Sequence, residues 1–242
     1  MEDNSVIMLL RWHTGINTIT NVDEKNGIAT FRSPQEGVVI VPPRYYVENV
    51  KLLLDTPGEW FFDKKLKETS YIPTNGMNDP NQVKAVVPII NQLVVVRGKM
   101  GQPVRNLRFY GLTFEGAIAW NSAISYEFAH AYQFVGGQVR SCSGTGISVK
   151  KGLLSNPYSH NRFETIHNGA IFANNTLMTT ISHNYLTKTR GRYGIDVGGW
   201  LNQEEAIDEG YIVEYNHLDD VQCDADDSGA IKTAGLIPVQ KN

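Results

Sequence analysis

The chain has 242 residues, of which 41% are hydrophobic and 19% charged, and its net charge is -3. This length accommodates one large domain, or one domain with an appendage. Because the chain is slightly acidic and its Lys and Arg residues are scattered, we expect no nucleic-acid partner, which would require clustered positive charge. No apolar run approaches the ~18 residues that span a bilayer, so no membrane partner is expected.

Neither the N-terminus nor the cysteines identify a cellular compartment. The apolar run from Val6 to Leu10 is too short to be the core of a signal peptide. Cys142 and Cys223 lie 81 residues apart and have no metal-ligand spacing. Buried thiols that pack as small hydrophobes are favoured over a disulfide, and the localisation and redox state remain open.

Residues 1–44 are predicted to form an N-terminal β segment. A hairpin is indicated by residues 16–22 and 28–31, which flank the turn sequence Lys25-Asn26-Gly27. The hydrophobic alternation elsewhere in this segment is weak. The segment is therefore expected to precede the regular part of the fold.

Residues 45–104 are predicted to form an inserted helix and hairpin segment that leads into a regular repeat. Its first ten residues, 45–54, favour a short helix that ends at the turn formed by Asp55, Thr56, Pro57 and Gly58. Residues 59–63 and 70–73 then resemble a strand pair, and residues 75–82 a loop. The apolar run 85–96 is predicted to start the repeat, and residues 106–114 are its first clear turn.

Residues 105–242 contain a block that returns at a nearly fixed interval. The block is marked by isoleucines at spacings of 24, 24 and 36 residues, namely Ile147, Ile171, Ile195 and Ile231. The second residue after each is Val149, Ala173, Val197 or Thr233, as expected if both positions face the interior of a strand. Fixed periods of this length are typical of a solenoid, in which stacked turns share one interior. The pattern predicts an all-β parallel β-helix rather than a β-sandwich, whose strands would recur every ~8–12 residues.

A second marker is an asparagine that follows a short polar stretch, at Asn161, Asn184 and Asn216. We interpret this marker as a second strand in each turn. The asparagines are expected to form an internal hydrogen-bonded ladder. His160 and His183, which are 23 residues apart, are expected to be structural stacking positions.

The ends of the solenoid are expected to need covering, because a solenoid exposes its core at both ends unless caps protect it. Thr233 lies nine residues before Asn242, and no completed turn follows the block at Gly229. The sequence therefore leaves three alternatives for this end: another chain covers it, a further segment covers it, or it is frayed.

Several stretches carry a resemblance to a known group of proteins. The first is residues 45–49 followed by residues 54–63, in which Pro57, Gly58, Glu59 and Trp60 are the most specific part; the others are residues 104–115, 193–200 and 227–235. Together they resemble right-handed parallel β-helix repeat proteins that act on carbohydrate, of which glycoside hydrolase family 141 is the nearest enzymatic member. The resemblance covers most of residues 12–235. This chain departs from it at Ser228 and Lys232, where similar proteins usually carry Gly and Tyr.

The resemblance implies a right-handed β-helix with a small inserted α+β segment, and a glycoside hydrolase activity. The substrate class that it suggests is plant-type polysaccharide, either xylan or fucose-bearing pectin, so the expected partner is a polysaccharide or oligosaccharide. No cofactor is implied. Proteins that are similar in this way are usually exported.

The candidate site is a column of outward-facing side chains. Because Ile195 and Val197 face inward, Asp196 must point outward between them. The column is predicted to be exposed and to contain Ser148, Phe172, Asp196 and Lys232. The extra residues of the last period lengthen two loops beside it, 200–210 and the loop with Asp224, Asp226 and Asp227. Long loops on both sides of a strand column predict a cleft.

Glycoside hydrolysis needs two carboxyl groups, ~5–5.5 Å apart for retention and ~6.5–9.5 Å apart for inversion. Asp196 and Asp227 belong to successive turns and are the predicted catalytic pair, one as nucleophile or base and the other as proton donor, in an order that the sequence leaves open. The predicted substrate-binding residues are Trp200, Tyr193, Arg192, Lys232 and Asp226.

Three alternatives remain at this stage. Asp196 and Lys232 would alternatively form only an exposed ion pair, and the acidic loop would be a solvated turn or a weak calcium site. A polysaccharide lyase would use Lys232 as a base together with calcium. A non-catalytic carbohydrate-binding or incomplete β-helix would have no turnover.

Overall fold

The structure is a computed structural model. It describes residues 4–11, 14–34, 39, 42, 44–74, 79, 85–118, 122–152, 156–191, 193–199, 209–221 and 229–234. The chain forms two compact units, Met1–Val86 and Val87–Asn242. We call them the N-terminal unit and the solenoid unit. In the described ranges, no helix is both long and apolar enough to cross a membrane.

The N-terminal unit contains a four-stranded antiparallel sheet in the order β3-β2-β1-β4. Its strands are β1 (Ser5–Leu9), β2 (Thr14–Asp23), β3 (Ile28–Phe31) and β4 (Arg44–Glu48). The predicted hairpin is confirmed as β2 and β3. Its turn is stabilised by Asp23, whose carboxylate accepts hydrogen bonds from the backbone N–H and the side chain of Asn26. These bonds lower the pKa of Asp23.

The helix predicted over residues 45–54 is wrong. Most of its first half is strand β4, which pairs with β1, and only Lys51–Leu53 form a short 3-10 helix. Aromatic and β-branched residues in β4 favour an extended backbone, and the distant strand β1 supplies the hydrogen bonds that a helix would have made locally. Asn49 then adopts a left-handed backbone with φ of 56° and ends the strand.

The predicted strand pair is confirmed as an antiparallel hairpin of β5 (Trp60–Asp63) and β6 (Glu68–Tyr71). Asp63 stabilises its turn, because its Oδ1 atom accepts the backbone N–H groups of Lys65 and Leu66 at 2.9 and 3.0 Å. Phe62 lies opposite Thr69 in this register. The predicted loop 75–82 lies largely outside the described residues.

The solenoid unit is built from short strands. In chain order they are β7 (Val94–Arg97), β8 (Val104–Arg105), β9 (Arg108–Tyr110), β10 (Thr113–Glu115), β11 (Ile124–Glu127), β12 (Ala129–His130), β13 (Gln133–Val135), β14 (Gln138–Cys142), β15 (Ile147–Lys150), β16 (Asn156–Ser159), β17 (Arg162–Ile166), β18 (Ile171–Asn174), β19 (Thr179–Ser182), β20 (Tyr185–Thr189), β21 (Tyr193–Val197), β22 (Ile212–Glu214), β23 (His217–Val221) and β24 (Gly229–Thr233).

These strands form three parallel sheets, which makes the unit a parallel β-helix, as predicted. The first sheet has the order β24-β21-β18-β15-β11-β7, the second β22-β19-β16-β13-β9 and the third β10-β14-β17-β20-β23. Strands β8 and β12 form a further short parallel pair. Each complete turn therefore contributes three strands, not the two that the sequence markers suggested.

The repeat of isoleucines is the register of the first sheet. Ile147, Ile171 and Ile195 are direct neighbours on successive turns, and each is at most 1% exposed. Ile231 continues the column on β24, where it is 45% exposed. The predicted period and the inward orientation of the isoleucines are therefore confirmed.

The asparagines form the predicted internal ladder, but they lie at the corner between the second and third sheets instead of in a strand. Asn161 Nδ2 donates to Asn184 Oδ1 at 3.0 Å, and Asn184 Nδ2 donates to Asn216 Oδ1 at 2.9 Å. His160 and His183 stack beside them with ring centroids 4.9 Å apart, as expected. Both histidines have a positive φ, which turns the chain at this corner.

Cys142 is a buried free thiol on β14, as the sequence favoured. Its Sγ atom contacts the backbone oxygen of Arg140 at 3.2 Å. Burial raises the pKa of this thiol. Cys223 lies outside the described residues.

Candidate functional site

Asp196 occupies the middle of β21, between two inward-facing neighbours. Ile195 and Val197 are 0% and 1% exposed in the core. The pairing of the first sheet places Asp196 directly between Phe172 on β18 and Lys232 on β24. The predicted column is thus confirmed in its membership and its register.

The prediction that this column is exposed is wrong for Asp196. The residue is only 6% exposed, and Ser148, Phe172 and Lys232 are partly buried. Outward orientation on a strand therefore does not by itself ensure contact with water. A carboxylate that is buried to this degree needs a charged or hydrogen-bonding partner.

One partner is Lys232, whose Nζ atom lies 3.8 Å from Asp196 Oδ2. The same Nζ atom lies 4.4 Å from the centroid of the Tyr193 ring, and Tyr193 is 8% exposed. The ammonium group therefore interacts with both a carboxylate and an aromatic face. Asp196, Lys232 and Tyr193, three of the predicted site residues, form one cluster on the outside of the first sheet.

The backbone that follows Asp196 is tightly bound to both neighbouring turns. Gly198 donates its N–H to the oxygen of Ala173 at 3.0 Å and accepts a hydrogen bond from Asn174 Nδ2 at 2.9 Å. On the other side, Ala234 N–H donates to Val197 O at 2.9 Å. Gly198 has a φ of 97°, and a Cβ atom there would collide with the oxygen of Ala234. This end of β21 consequently holds Asp196 in a defined position.

Several predicted site residues lie outside the described residues. They are Asp227, Asp226, Trp200 and Arg192, together with Asp224 of the acidic loop. The pairing of Asp196 with Asp227 therefore stays a prediction. Within the described ranges, no group of three or more His, Cys, Asp or Glu residues is arranged to hold a metal ion.

A concave feature that the sequence did not indicate lies within the N-terminal unit. This groove has a volume of about 650 Å³. It is lined by Ser5, Val47, Glu48, Asn49, Val50, Leu53, Leu54, Gly58, Glu59, Trp60, Phe62 and Lys64. The available signal was the Gly58-Glu59-Trp60 sequence, where an aromatic residue opens a strand directly after a tight turn.

Comparison with known proteins supports the fold. No family model matches the sequence, and no curated protein matches it. The structure is similar to a solved structure named "Glycoside hydrolase", with a TM-score of 0.65 and 17% sequence identity. The similarity covers 97% of this chain and 57% of that chain, so this chain spans little more than half of its length. At this identity, the likeness establishes a shared architecture alone.

Proposed function

We propose that this protein acts on carbohydrate, and specifically that it is a glycoside hydrolase of plant-type polysaccharide related to family 141. The observation that carries the proposal is the buried carboxylate of Asp196, which is 6% exposed on the outer face of a β-helix. A buried carboxylate outside the core is costly to maintain, and such groups are frequent at functional sites. The fold likeness to a solved glycoside hydrolase supports the same class.

In the proposed reaction Asp196 is the ionised carboxylate. The ammonium group of Lys232, 3.8 Å away, stabilises negative charge on Asp196, as a nucleophile or base requires. Asp227 is the proposed proton donor: its carboxyl proton passes to the glycosidic oxygen as the bond from the sugar carbon to that oxygen breaks. Asp196 either bonds to the sugar carbon as the glycosidic bond breaks, or takes a proton from the water that attacks this carbon, which gives inversion. In the first case the deprotonated Asp227 takes a proton from a water molecule, and this water displaces Asp196 from the sugar carbon, which gives retention.

Substrate contacts are proposed for the residues around this carboxylate. Trp200 would stack on a sugar ring, and Arg192 and Asp226 would bind hydroxyl groups. Tyr193 and Lys232 contact each other, and together they orient Asp196. Lys232 therefore acts mainly as a positioning residue in this proposal.

The contacts of Lys232 favour hydrolysis over lyase chemistry. A lyase base must give up its proton to accept one from a uronate ring. Lys232 Nζ instead lies 3.8 Å from Asp196 Oδ2 and 4.4 Å from the centroid of the Tyr193 ring, so its ammonium group is already in contact with two groups of the protein.

The test is the release of reducing sugar from xylan, pectin and fucosylated oligosaccharides. We expect turnover by the unmodified chain, and a loss of at least ~100-fold in both Asp196→Asn and Asp227→Asn. Glu115→Gln is the matched control, because Glu115 is an ion-paired carboxylate of the third sheet, 2.9 Å from Arg140. Its turnover should not change.

Circular dichroism spectra establish that each variant is folded. A folded chain that releases no sugar from any substrate would refute the hydrolase proposal and favour a binding module. Products with the ultraviolet absorbance of an unsaturated uronate would instead identify a lyase.

A further inference from the structure

The groove of the N-terminal unit has an aromatic wall that is open to solvent. Trp60 is 65% exposed, although indole is among the largest apolar side chains. Phe62 lies two residues further along β5 and lines the same groove, as the alternation of a strand requires. Leu53, which is 55% exposed, adds an aliphatic surface. The groove therefore presents an indole face and further apolar surface to a ligand.

The walls of the groove are fixed by hydrogen bonds. Asn49 accepts the backbone N–H of Phe62 at its Oδ1 atom, and its Nδ2 atom donates to the oxygen of Phe62. At the other end, Glu59 Oε2 accepts the backbone N–H groups of Asp55 and Thr56 at 2.9 and 3.0 Å. A site whose walls are held in place before binding loses less entropy when a ligand enters.

The polar groups of the groove indicate which ligand it would accept. Glu48 and Glu59 contribute two carboxylates, and Lys64 contributes one ammonium group. This excess of negative charge disfavours an anionic chain such as a polyuronate. Oxygen and nitrogen groups beside an aromatic face suit a neutral sugar, whose C–H face packs on the ring while its hydroxyls form hydrogen bonds.

We propose that this groove binds a segment of neutral oligosaccharide, with Trp60 as the stacking platform. The binding site belongs to the N-terminal unit and requires no catalysis. It goes beyond the proposed hydrolysis at Asp196, because it depends only on residues of the N-terminal unit. A chain of this kind would have two separate contacts with polysaccharide.

The experiment is an NMR titration of the full chain that follows the indole N–H resonance of Trp60, assigned by its loss in Trp60→Phe. Xylohexaose and cellohexaose are the neutral probes, and trigalacturonate is the acidic probe. The Asp196→Asn background prevents consumption of the probes. The result for the groove is thus independent of the result for hydrolysis.

We expect a neutral probe to shift the Trp60 resonance, and trigalacturonate to shift it less. Trp60→Ala should weaken binding at least tenfold, and Trp60→Phe should weaken it less. Leu52→Ala is the matched control, because Leu52 is 94% exposed and does not line the groove. Its affinity should equal that of the background protein.

Two results would overturn the proposal. One is an unshifted Trp60 resonance with both neutral probes in the folded chain. The other is a concentration-dependent dimer that Trp60→Ala abolishes, because the groove would then be a contact between two copies of the chain.

Discussion

Lys232 Nζ lies 3.8 Å from Asp196 Oδ2, and the two residues belong to successive turns of the solenoid. The two side chains are 21% and 9% exposed, so water screens their attraction only weakly. The pair links β21 to β24, which are otherwise joined by backbone hydrogen bonds. The pair is therefore a side-chain link between two successive turns of the solenoid.

Removing one member of this pair should destabilise the fold. Lys232→Met removes the cation that lies 3.8 Å from the buried Asp196 carboxylate, and we expect the free energy of unfolding to fall by roughly 2–4 kcal/mol. The double variant Asp196→Asn/Lys232→Met should recover part of that loss. Urea unfolding of the single and double variants measures the coupling.

The control for this pair is Arg140→Met, which breaks the exposed ion pair with Glu115. Both of those side chains are 44% exposed. Its cost should be below about 1 kcal/mol, since exposed pairs contribute little. Equal losses in the two single variants would contradict the prediction.

Asn184 should be a strong determinant of stability. Its side chain accepts two hydrogen bonds from Asn161 and donates to Tyr158 O and Asn216 Oδ1. Asn184→Ala leaves several of these buried groups without a partner, and we expect a loss of about 2–4 kcal/mol in urea unfolding.

Asn168→Ala is the matched control for Asn184→Ala. Its exposed side chain donates to Thr145 Oγ1 at 3.3 Å. The free energy of unfolding of Asn168→Ala should fall by less than ~0.5 kcal/mol. A similarly small effect at Asn184 would show that the ladder adds nothing to stability.

Three buried tyrosines should make the fold sensitive to alkali. The hydroxyl of Tyr126 makes no hydrogen bond within the described part of the chain. Burial raises the pKa of Tyr126, Tyr132 and Tyr158 above the ordinary value of 10.0. The unfolded chain loses these protons near pH 10, whereas the folded chain keeps them. Stability is therefore complete below pH ~10 and falls above it, by about 1.4 kcal/mol per pH unit for each tyrosine.

Urea unfolding between pH 9 and pH 11 measures this effect. Tyr126→Phe should reduce the decrease in unfolding free energy per pH unit above pH ~10 by the contribution of one tyrosine. At neutral pH the same variant should be as stable as the unmodified protein or more so, because the hydroxyl that it removes has no partner. An unchanged slope would show that Tyr126 is not buried in the folded protein.

Gly198 should not tolerate a side chain. Gly198→Ala would place Cβ against Ala234 O at a φ of 97°, and we expect a loss of at least ~3 kcal/mol. Gly27→Ala is the control: its φ is 66°, with no atom within 4 Å of the added Cβ. That variant should lose only about 1 kcal/mol, from the left-handed backbone alone. Thermal unfolding measures both variants, and the difference between them gives the cost of the collision with Ala234 beyond that of the left-handed backbone.

Local patterns predicted one element of the N-terminal unit correctly and another incorrectly. The β2–β3 hairpin followed from a turn sequence whose own residues form the stabilising hydrogen bonds. Strand β4 could not be predicted from local sequence, because its partner β1 lies about 40 residues earlier and no local pattern indicates that pairing. The asparagine marker was assigned to a strand for a related reason. Asn161 lies at a corner, where it accepts a hydrogen bond from Gly137 N–H and donates one to Phe134 O, and its polar character alone does not distinguish a corner from a strand.

The sequence by itself determined the stacking of the solenoid and the membership of the outer column. Successive turns can share a core only if Ile147, Ile171 and Ile195 fall in register, so the period and the inward and outward faces were readable from the spacing. Only the tertiary structure decided that Asp196 is buried and that Lys232 bridges it to Tyr193. Burial and ion pairing depend on which side chains of neighbouring turns lie over a position, and residue spacing along one strand does not specify that cover.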